Sequence, residues 1–175
     1  MGETDIVRDT LNGLLAFVVP GPDAYSVAQG SSDDDPGGVE AGIMEVLIRT
    51  LDLSAPFLPH FSATVAGILN DLAQKVNPTT AGSLSSPFSR LSFAEKVAVF
   101  QIMDGTDSLK SLADVLPAFV AYLCYSDAGV FDPTTRALTG KPVGWVISNY
   151  TGTADGREEF RGYFAGRSGT ERAGT

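Results

Sequence analysis

Apolar residues recur three and four positions apart along most of the chain up to Tyr125, which is the spacing of helices with one buried face. The first such stretch covers residues 5–18; Thr4 or Asp5 can cap its start, and Pro20-Gly21-Pro22 stops it. Residues 19–37 then predict a polar loop that is long for a connection inside one domain. The buried stripe of this first helix is predicted to consist of Ile6, Val7, Leu11, Leu14, Leu15 and Val18.

Proline marks the boundaries of the next two predicted helices. Asp35 and Pro36 suit the cap and the first turn of one helix. Another helix follows Pro56 or Pro59 and ends at Asn77, because the residue before a proline disfavours helical geometry. Their predicted buried stripes are Val39, Ile43, Val46, Leu47 and Leu51 in the former, and Phe61, Val65, Ile68, Leu69 and Leu72 in the latter.

Two further helices carry their own start signals. Ser92 and Glu95 form a capping-box pattern, and Asp104-Gly105 ends the helix behind it. Asp107 or Ser108 can cap a long last helix, in which Pro117 predicts a kink or a break. The predicted buried residues are Phe93, Val97 and Phe100, with Ile102 as a further candidate, in one helix, and Leu109, Leu112, Leu116, Phe119, Val120 and Leu123 in the other.

The helical period fades after Tyr125. Residues 126–156 are rich in turn formers, a short helix is possible at 155–164, and no sustained alternation predicts strands. We therefore predict a mainly α fold: one helical domain over residues 1–167, built as a compact bundle of about five to six helices. A long, irregular, aromatic and Gly-rich segment closes that domain, and residues 168–175 are predicted to be a disordered tail.

Charge and hydropathy narrow the classes of partner. The chain holds 21 acidic and 12 basic residues, a net charge of −9, and such a chain repels the phosphates of nucleic acid. No run of 18 apolar residues is present, so membrane insertion is not expected. The start of the sequence is acidic and shows no signal peptide. We expect a protein that is cytoplasmic or is exported together with its partner.

Few residues suit catalysis or cofactor binding. His60 and Cys124 are the only residues of their types, too few for a structural zinc site, and Cys124 is predicted to be a buried apolar residue. Asp33, Asp34 and Asp35 are typical of a solvated loop. Neither a Gly-x-Ser-x-Gly elbow nor a nucleotide-binding glycine motif occurs. We expect no catalytic, metal or cofactor residue in this chain, although His60 or a carboxylate pair such as Glu158-Glu159 leaves catalysis open.

Aromatic residues and arginines are concentrated in the last third of the chain. This combination is enriched at protein–protein interfaces, but the rings can equally close over the helical bundle as part of its core. Both interpretations stay open from the sequence. The candidate residues for a partner interface are Trp145, Tyr150, Tyr125, Phe131, Arg136, Tyr163, Arg161 and His60.

Three stretches resemble the gluconate 2-dehydrogenase subunit 3 family and its actinobacterial relatives. Residues 14–21, Leu-Leu-Ala-Phe-Val-Val-Pro-Gly, end a helix in a Val-Pro-Gly turn, and residues 35–42, Asp-Pro-Gly-Gly-Val-Glu-Ala-Gly, lead from an acidic loop to a helix. Residues 122–127, Tyr-Leu-Cys-Tyr-Ser-Asp, leave a late helix through the Gly-rich stretch 140–152. Together they span most of the chain in the order expected for the family.

The resemblance implies a small helical accessory subunit in a hetero-oligomer. Its partner would be a large flavin-dependent oxidoreductase of the glucose–methanol–choline type that acts on sugars or alcohols. The partner would hold the FAD, and the small subunit would stabilise or mature it. Many family members begin with a twin-arginine signal, which this sequence lacks, so the export role is in doubt. The alternatives are a stand-alone enzyme acting on a small organic substrate, and a self-associating, ligand-binding helical domain.

Overall fold

Helices account for most of the residues that the structure, a computed structural model, describes; these residues are 3–55, 57–80 and 86–150. The predicted mainly α class is therefore confirmed. A short 3-10 helix at Pro78–Thr80 and two paired strands, β1 (Phe131–Asp132) and β2 (Ala137–Leu138), complete the regular structure. The α-helices are α1 (Glu3–Val18), α2 (Ala24–Gln29), α3 (Met44–Ser54), α4 (Phe61–Val76), α5 (Phe93–Asp104), α6 (Lys110–Tyr125) and α7 (Val143–Ile147).

The core lies around α4, which packs against α1, α3 and α5, while α5 also packs against α6. Each fully buried leucine or valine contributes roughly 1.5–3 kcal/mol through loss of apolar contact with water. The predicted stripes of α1, α4 and α6 supply much of this core. Its buried members include Leu11, Leu14, Leu15, Leu47, Leu51, Val65, Leu69, Leu72, Val99, Met103, Leu116, Val120 and Leu123.

The helix caps of α5 lie where the sequence predicts them. The hydroxyl of Ser92 accepts a hydrogen bond from the Glu95 N–H, and the Ser92 N–H donates to Oε2 of Glu95 at 2.8 Å. These bonds from Ser92 lower the pKa of the Glu95 carboxyl, because they favour its charged form. Gly105 ends the helix. The end of α4 at Asn77 is likewise confirmed.

The prediction that a helix starts at Asp35-Pro36 is wrong, because α3 begins only at Met44. A Cβ on Gly38 would lie 2.7 Å from the carbonyl oxygen of Leu15, so this backbone rests directly on the end of α1. Gly42 then takes a φ of +67°, which a helix does not allow. Contacts with α1 thus hold residues 35–43 as turns.

Helix α2 falls within residues 19–37, which the sequence predicts as loop throughout. Asp23 caps it by accepting from the N–H groups of Tyr25 and Ser26, and Gly30 ends it with a φ of +82°. Six residues are too few to show a helical period. Ser26 and Gln29 of α2 are buried, because the helix packs against α1.

The buried face of α5 and the first residue of α6 both differ from the predictions. The buried residues of α5 are Lys96, Val99 and Met103, whereas Phe93 is exposed. Helix α6 starts at Lys110 without a side-chain cap, rather than at Asp107 or Ser108. It continues unbroken through Pro117, so the predicted break does not occur.

The segment after α6, residues 126–150, is called the C-terminal arm below. It contains the antiparallel pair β1–β2 and the short helix α7, which packs against α6. The approach is close, since a Cβ on Gly144 would lie 2.4 Å from Cα of Tyr125. The predicted helix at 155–164 and the predicted tail at 168–175 lie outside the described residues. None of the helices described here is long and apolar enough to cross a membrane.

Candidate functional site

Large apolar side chains are exposed together at the end of α6 and along the C-terminal arm. Apolar side chains that are exposed next to one another mark interaction sites more often than single exposed ones do. Tyr122 is the most open of them, with 68% of its surface exposed. We call this set the aromatic arm surface, and its members are Tyr122, Tyr125, Phe131, Leu138, Val146 and Tyr150.

The helix α6 and the β1–β2 pair each place two of these side chains next to one another. Tyr122 and Tyr125 are three residues apart on α6, so they share a helix face. Phe131 and Leu138 are direct partners in the β1–β2 pairing, and side chains of such a pair lie on the same side of the strands. Arg136 is exposed in the turn between the strands, with a φ of +53°. A cationic side chain therefore accompanies the aromatic ones.

Trp145 packs against Tyr150, one member of the aromatic arm surface. Its side chain is half-buried in α7, and its ring meets that of Tyr150 edge-on with the centroids 5.2 Å apart. The N–H of Tyr150 also donates to the carbonyl of Trp145 at 2.8 Å. Such an edge-to-face pair contributes about 0.5–1.5 kcal/mol beyond the buried area. Trp145 therefore fixes the position of an exposed ring while it is itself partly accessible.

A separate groove of about 340 Å³ surrounds His60. His60 lies in the turn before α4 and is exposed, with a left-handed backbone at φ 60° and ψ 45°. The groove also contains Asp52 and Ser62, together with Arg8, which forms an ion pair with Glu45. A hydroxyl, an imidazole and a carboxylate thus line one cleft.

Asp52 has a structural role in this groove. His60 occupies the cap position of α4 but makes no capping hydrogen bond with its side chain. Instead, Oδ1 of Asp52 on α3 accepts from the N–H of Ser62 at 2.8 Å. A carboxylate at a helix N-terminus satisfies a free N–H and interacts favourably with the helix dipole. Asp52 therefore joins α3 to the start of α4.

The left-handed backbone at His60 predicts an unusual order of stability among variants. A residue with a Cβ loses roughly 1–2 kcal/mol in this region, and β-branched residues fit it worst. We expect His60→Gly to stay within about 0.5 kcal/mol of wild type, because relief of strain offsets the entropy of glycine. His60→Val should be at least about 1 kcal/mol less stable than His60→Gly. Urea unfolding measures both, and equal stabilities would contradict a backbone constraint at this position.

Lys96 is fully buried at 0% exposure, which is rare for a lysine. Its Nζ donates to Oε1 of Gln29 at 2.6 Å and to the carbonyl of Gly13 at 3.0 Å. Nζ also lies 5.4 Å from the ring centroid of Phe88. Gln29 in turn donates from Nε2 to the carbonyl of Ala16 at 2.7 Å. Lys96 thus connects α5 to α1 and to the end of α2.

Two carboxylates lie near this buried amine without forming a hydrogen bond to it. Asp9 accepts from the hydroxyl of Tyr25 at 2.8 Å and from the hydroxyl of Ser89 at 2.8 Å. Burial lowers the pKa of Lys96 to about 8, and the negative charges of Asp23 and Asp9 oppose that shift. Burial and the bond to Asp9 raise the pKa of Tyr25. The positive charge of Lys96 is therefore kept in the interior against the free-energy cost of removing the amine from water.

The lowered pKa of Lys96 predicts how stability depends on pH. The amine titrates near 8 in the fold but at its usual value of 10.5 when unfolded, so the unfolded chain binds more protons between these values. This group therefore makes the fold more stable as pH rises from 8, by about 1.4 kcal/mol per unit at most. Cys124 opposes it above pH 9, because burial raises the thiol pKa to about 12.

The comparison variant for this pH dependence is Lys96→Met, which removes the amine and leaves Cys124 unchanged. We expect the free energy of unfolding of wild type minus that of the variant to rise between pH 8 and pH 10. The raised pKa of Tyr25 belongs to both proteins, so, like that of Cys124, it cancels from this difference. Urea unfolding at half-unit steps checks this, and a constant difference across the window would contradict it.

Some of the remaining candidate residues are described by the structure, and others lie outside its described part. Cys124 is buried, as predicted. Asp33, Asp34 and Asp35 are exposed, and within the described residues no group of three or more His, Cys, Asp or Glu side chains could hold a metal ion. Tyr163, Arg161 and the Glu158-Glu159 pair lie outside the described residues.

The structure places most of the predicted interface residues that it describes in one region and His60 in another. Tyr125, Phe131, Arg136, Trp145 and Tyr150 belong to the end of α6 and the C-terminal arm, whereas His60 belongs to the α3–α4 turn. Sequence reasoning missed two features of these sites, the cap formed by Asp52 and the burial of Lys96. Comparison of the chain with family models, with curated proteins and with solved structures yields no match.

Proposed function

We propose that this chain is a non-catalytic accessory subunit that binds a larger protein through the aromatic arm surface. The observation that carries the proposal is the exposure of six large apolar side chains on one helix end and the arm that follows it. Tyrosine and phenylalanine rings provide large contact areas with little conformational entropy to lose. A partner that covers them removes apolar area from water and supplies the driving force for association.

Charge suggests the kind of surface that this partner presents. The chain has a net charge of −9, so a basic or neutral face on the partner gives faster and more selective association than an acidic one. Arg136 is a local exception at the tip of the β1–β2 pair, where it can meet a carboxylate. The partner face would then combine an apolar centre with a largely basic rim.

The identity of the partner rests on the family resemblance of residues 14–21, 35–42 and 122–127. On that basis the partner is a large flavin-dependent oxidoreductase of the glucose–methanol–choline type, which holds the FAD and performs the chemistry on a sugar or alcohol. The present chain would stabilise or mature that enzyme. No residue of this chain is assigned a role in the partner's reaction.

Trp145 provides a test that separates binding from folding. It is half-buried and contacts Tyr150, but it is not among the residues of the hydrophobic core, to which its helix contributes Val143. We expect Trp145→Ala to lower the affinity for the oxidoreductase by at least tenfold, about 1.4 kcal/mol, and to lower folding stability by less than that. Calorimetric titration and urea unfolding give the two values. A large loss of stability with unchanged affinity would make Trp145 a core residue only.

A second candidate function is hydrolysis of a small ester or amide in the groove around His60. The favouring observation is that Ser62, His60 and Asp52 line the same cleft, as a nucleophile, a base and an acid would. Against it, Ser62 is buried and Asp52 already accepts from the Ser62 backbone. Turnover of a p-nitrophenyl ester by the purified chain, abolished in His60→Ala, would favour this function over the accessory role.

A further inference from the structure

A cavity of about 160 Å³ lies between α3, the first turn of α4 and α6, and we call it the α3–α6 cavity. Helices α3 and α6 each pack more extensively against other helices than against one another, and the cavity occupies the space between them. On α6, the lining positions 112, 115, 116 and 119 are three or four residues apart, so they share one helix face. The apolar residues of the lining are Leu51 on α3, Phe61 on α4, and Leu112, Val115, Leu116 and Phe119 on α6.

The α3–α6 cavity runs from an exposed rim into the core. Val115 is 61% exposed and marks the rim, whereas Leu51 and Leu116 are buried and form the floor. Phe61 and Phe119 belong to the predicted buried stripes, yet both are only partly buried beside the core cluster. Incomplete burial of this kind is what an unfilled space next to the core produces. The described part of the chain thus leaves this apolar volume unfilled.

The polar atoms of the lining offer little to water or to an ion. The hydroxyl of Thr50 donates to the carbonyl of Val46 at 2.8 Å, and the hydroxyl of Ser54 donates to the carbonyl of Leu51 at 2.7 Å. Both protons are therefore used within α3, and no charged residue is among those described as lining the cavity. A buried water needs two to four polar partners, and a buried charge needs a counter-charge. The lining therefore selects a neutral, apolar occupant.

The size of the cavity narrows that class further. Drug-sized ligands occupy pockets of roughly 300–1,000 Å³, well above the 160 Å³ of this cavity. An apolar cavity of roughly 150 Å³ lined by leucine, isoleucine and phenylalanine stays dry and holds one benzene molecule. The present cavity has the same size and the same kind of lining. Its phenylalanines, Phe61 and Phe119, also suit a ring, because aromatic pairs gain from edge-to-face or offset contact.

We propose that the α3–α6 cavity is a binding site for a small, neutral aromatic molecule with one six-membered ring. The bound ring contacts the leucine floor and the two phenylalanines, and it removes their apolar surface from water. A hydroxyl substituent on the ring can donate to Ser54, whose oxygen still has a free lone pair at the rim. The proposal does not rest on the accessory role, since none of the lining residues belongs to the aromatic arm surface.

Methyl NMR spectra of the full chain, titrated with benzene, test this site. We expect saturable shifts of the methyl signals of Leu51, Leu112 and Leu116, with a Kd on the order of 1 mM for a ligand of six heavy atoms. The signals of Val65 in the core and of Ile48 in the groove around His60 should stay unchanged. Benzoate should shift none of them, because its charge would lose water without gaining a cation. Equal shifts with both molecules, or shifts that never saturate, would overturn the proposal.

A variant that fills the cavity supplies the second arm of the experiment. Leu116→Phe enlarges a buried residue of the floor, so the added ring occupies the space for benzene, and we expect the Kd to rise about tenfold or more. Ile102→Phe makes the same kind of change at an exposed position of α5 outside the lining and should leave the Kd within about twofold. An unchanged Kd in a folded Leu116→Phe would contradict the proposal.

Two measurements on the wild-type chain do not depend on the folding of any variant. Benzene should raise the urea midpoint of unfolding, because it binds the folded state only, whereas benzoate at the same concentration should not. A midpoint that benzene leaves unchanged at saturation of the methyl shifts would count against a site in the fold. The cavity signals should also be the same before and after tenfold dilution without benzene. A change on dilution would overturn the proposal in favour of a side chain from a second copy as the occupant.

Discussion

Lys96→Ala is expected to destabilise the fold by about 3 kcal/mol, the largest effect of any single substitution considered. Loss of the amine leaves the buried acceptors on Gln29 and Gly13 without a donor, at roughly 1–3 kcal/mol each. Loss of the methylenes costs about 0.8 kcal/mol per CH₂ group. Release of the buried charge returns about 3 kcal/mol at neutral pH, since one pKa unit corresponds to 1.36 kcal/mol. Urea unfolding at pH 7 measures the difference.

Two further variants identify the cause of that loss. Lys96→Met keeps most of the side-chain volume and removes the charge, so we expect it to fall between wild type and Lys96→Ala. Lys75→Ala removes an exposed lysine from α4 and should change stability by less than about 0.5 kcal/mol. If Lys96→Ala were as harmless as Lys75→Ala, the buried amine would not hold α1, α2 and α5 together.

Tyr122→Ser combined with Phe131→Ser is expected to weaken the complex with the oxidoreductase by about 100-fold. Each ring, if buried at the centre of an interface, accounts for roughly 1–2 kcal/mol, and about 2.7 kcal/mol corresponds to that factor. Both side chains are exposed in the free chain, so folding stability should change little. Calorimetric titration gives the affinity, and the effect should appear mainly as faster dissociation.

The matched control for this variant uses exposed apolar residues at another place on the molecule. Leu53 and Phe57 lie at the end of α3 and in the following turn, where Phe57 is 95% exposed. Leu53→Ser with Phe57→Ser should leave the affinity unchanged. If this control weakened the complex and the Tyr122 variant did not, the interface would lie at the α3–α4 turn, beside His60.

Local signals in the sequence predict the helices that depend on local interactions. Helix α5 begins directly after its cap Ser92 because the capping box is complete within four residues, and α4 ends before Asn77 because Pro78 follows. The mainly α class follows from the same signals and from the long apolar period of α1 and α6.

Features that depend on contacts between distant residues could not be predicted in this way. Residues 35–43 contain a good cap and an apolar stripe, yet contact of Gly38 with the end of α1 keeps them from forming a helix. The buried face of α5 differs from the predicted one because a lysine stands at its centre, and the hydrogen-bond acceptors of that lysine, on Gln29 and Gly13, are far away in sequence.

The candidate site was predictable in composition but not in geometry. Concentration of aromatic residues after Tyr122 is visible in the sequence, whereas their exposure, which separates an interface from a core lid, is a property of the fold. The structure leaves Tyr125, Phe131 and Tyr150 exposed and Trp145 half-buried. Similarly, no sequence motif relates Asp52 to Ser62, because the pairing arises from the turn between α3 and α4.

The most direct test of the accessory role is the mass of the species formed when this chain is co-expressed with a glucose–methanol–choline-type oxidoreductase from the same genome. The account predicts one peak on a sizing column with light-scattering detection, containing both chains and the flavin absorbance, and loss of that peak with Tyr122→Ser and Phe131→Ser. Two separate peaks, with all the flavin on the large chain and this chain at its own mass, would contradict it.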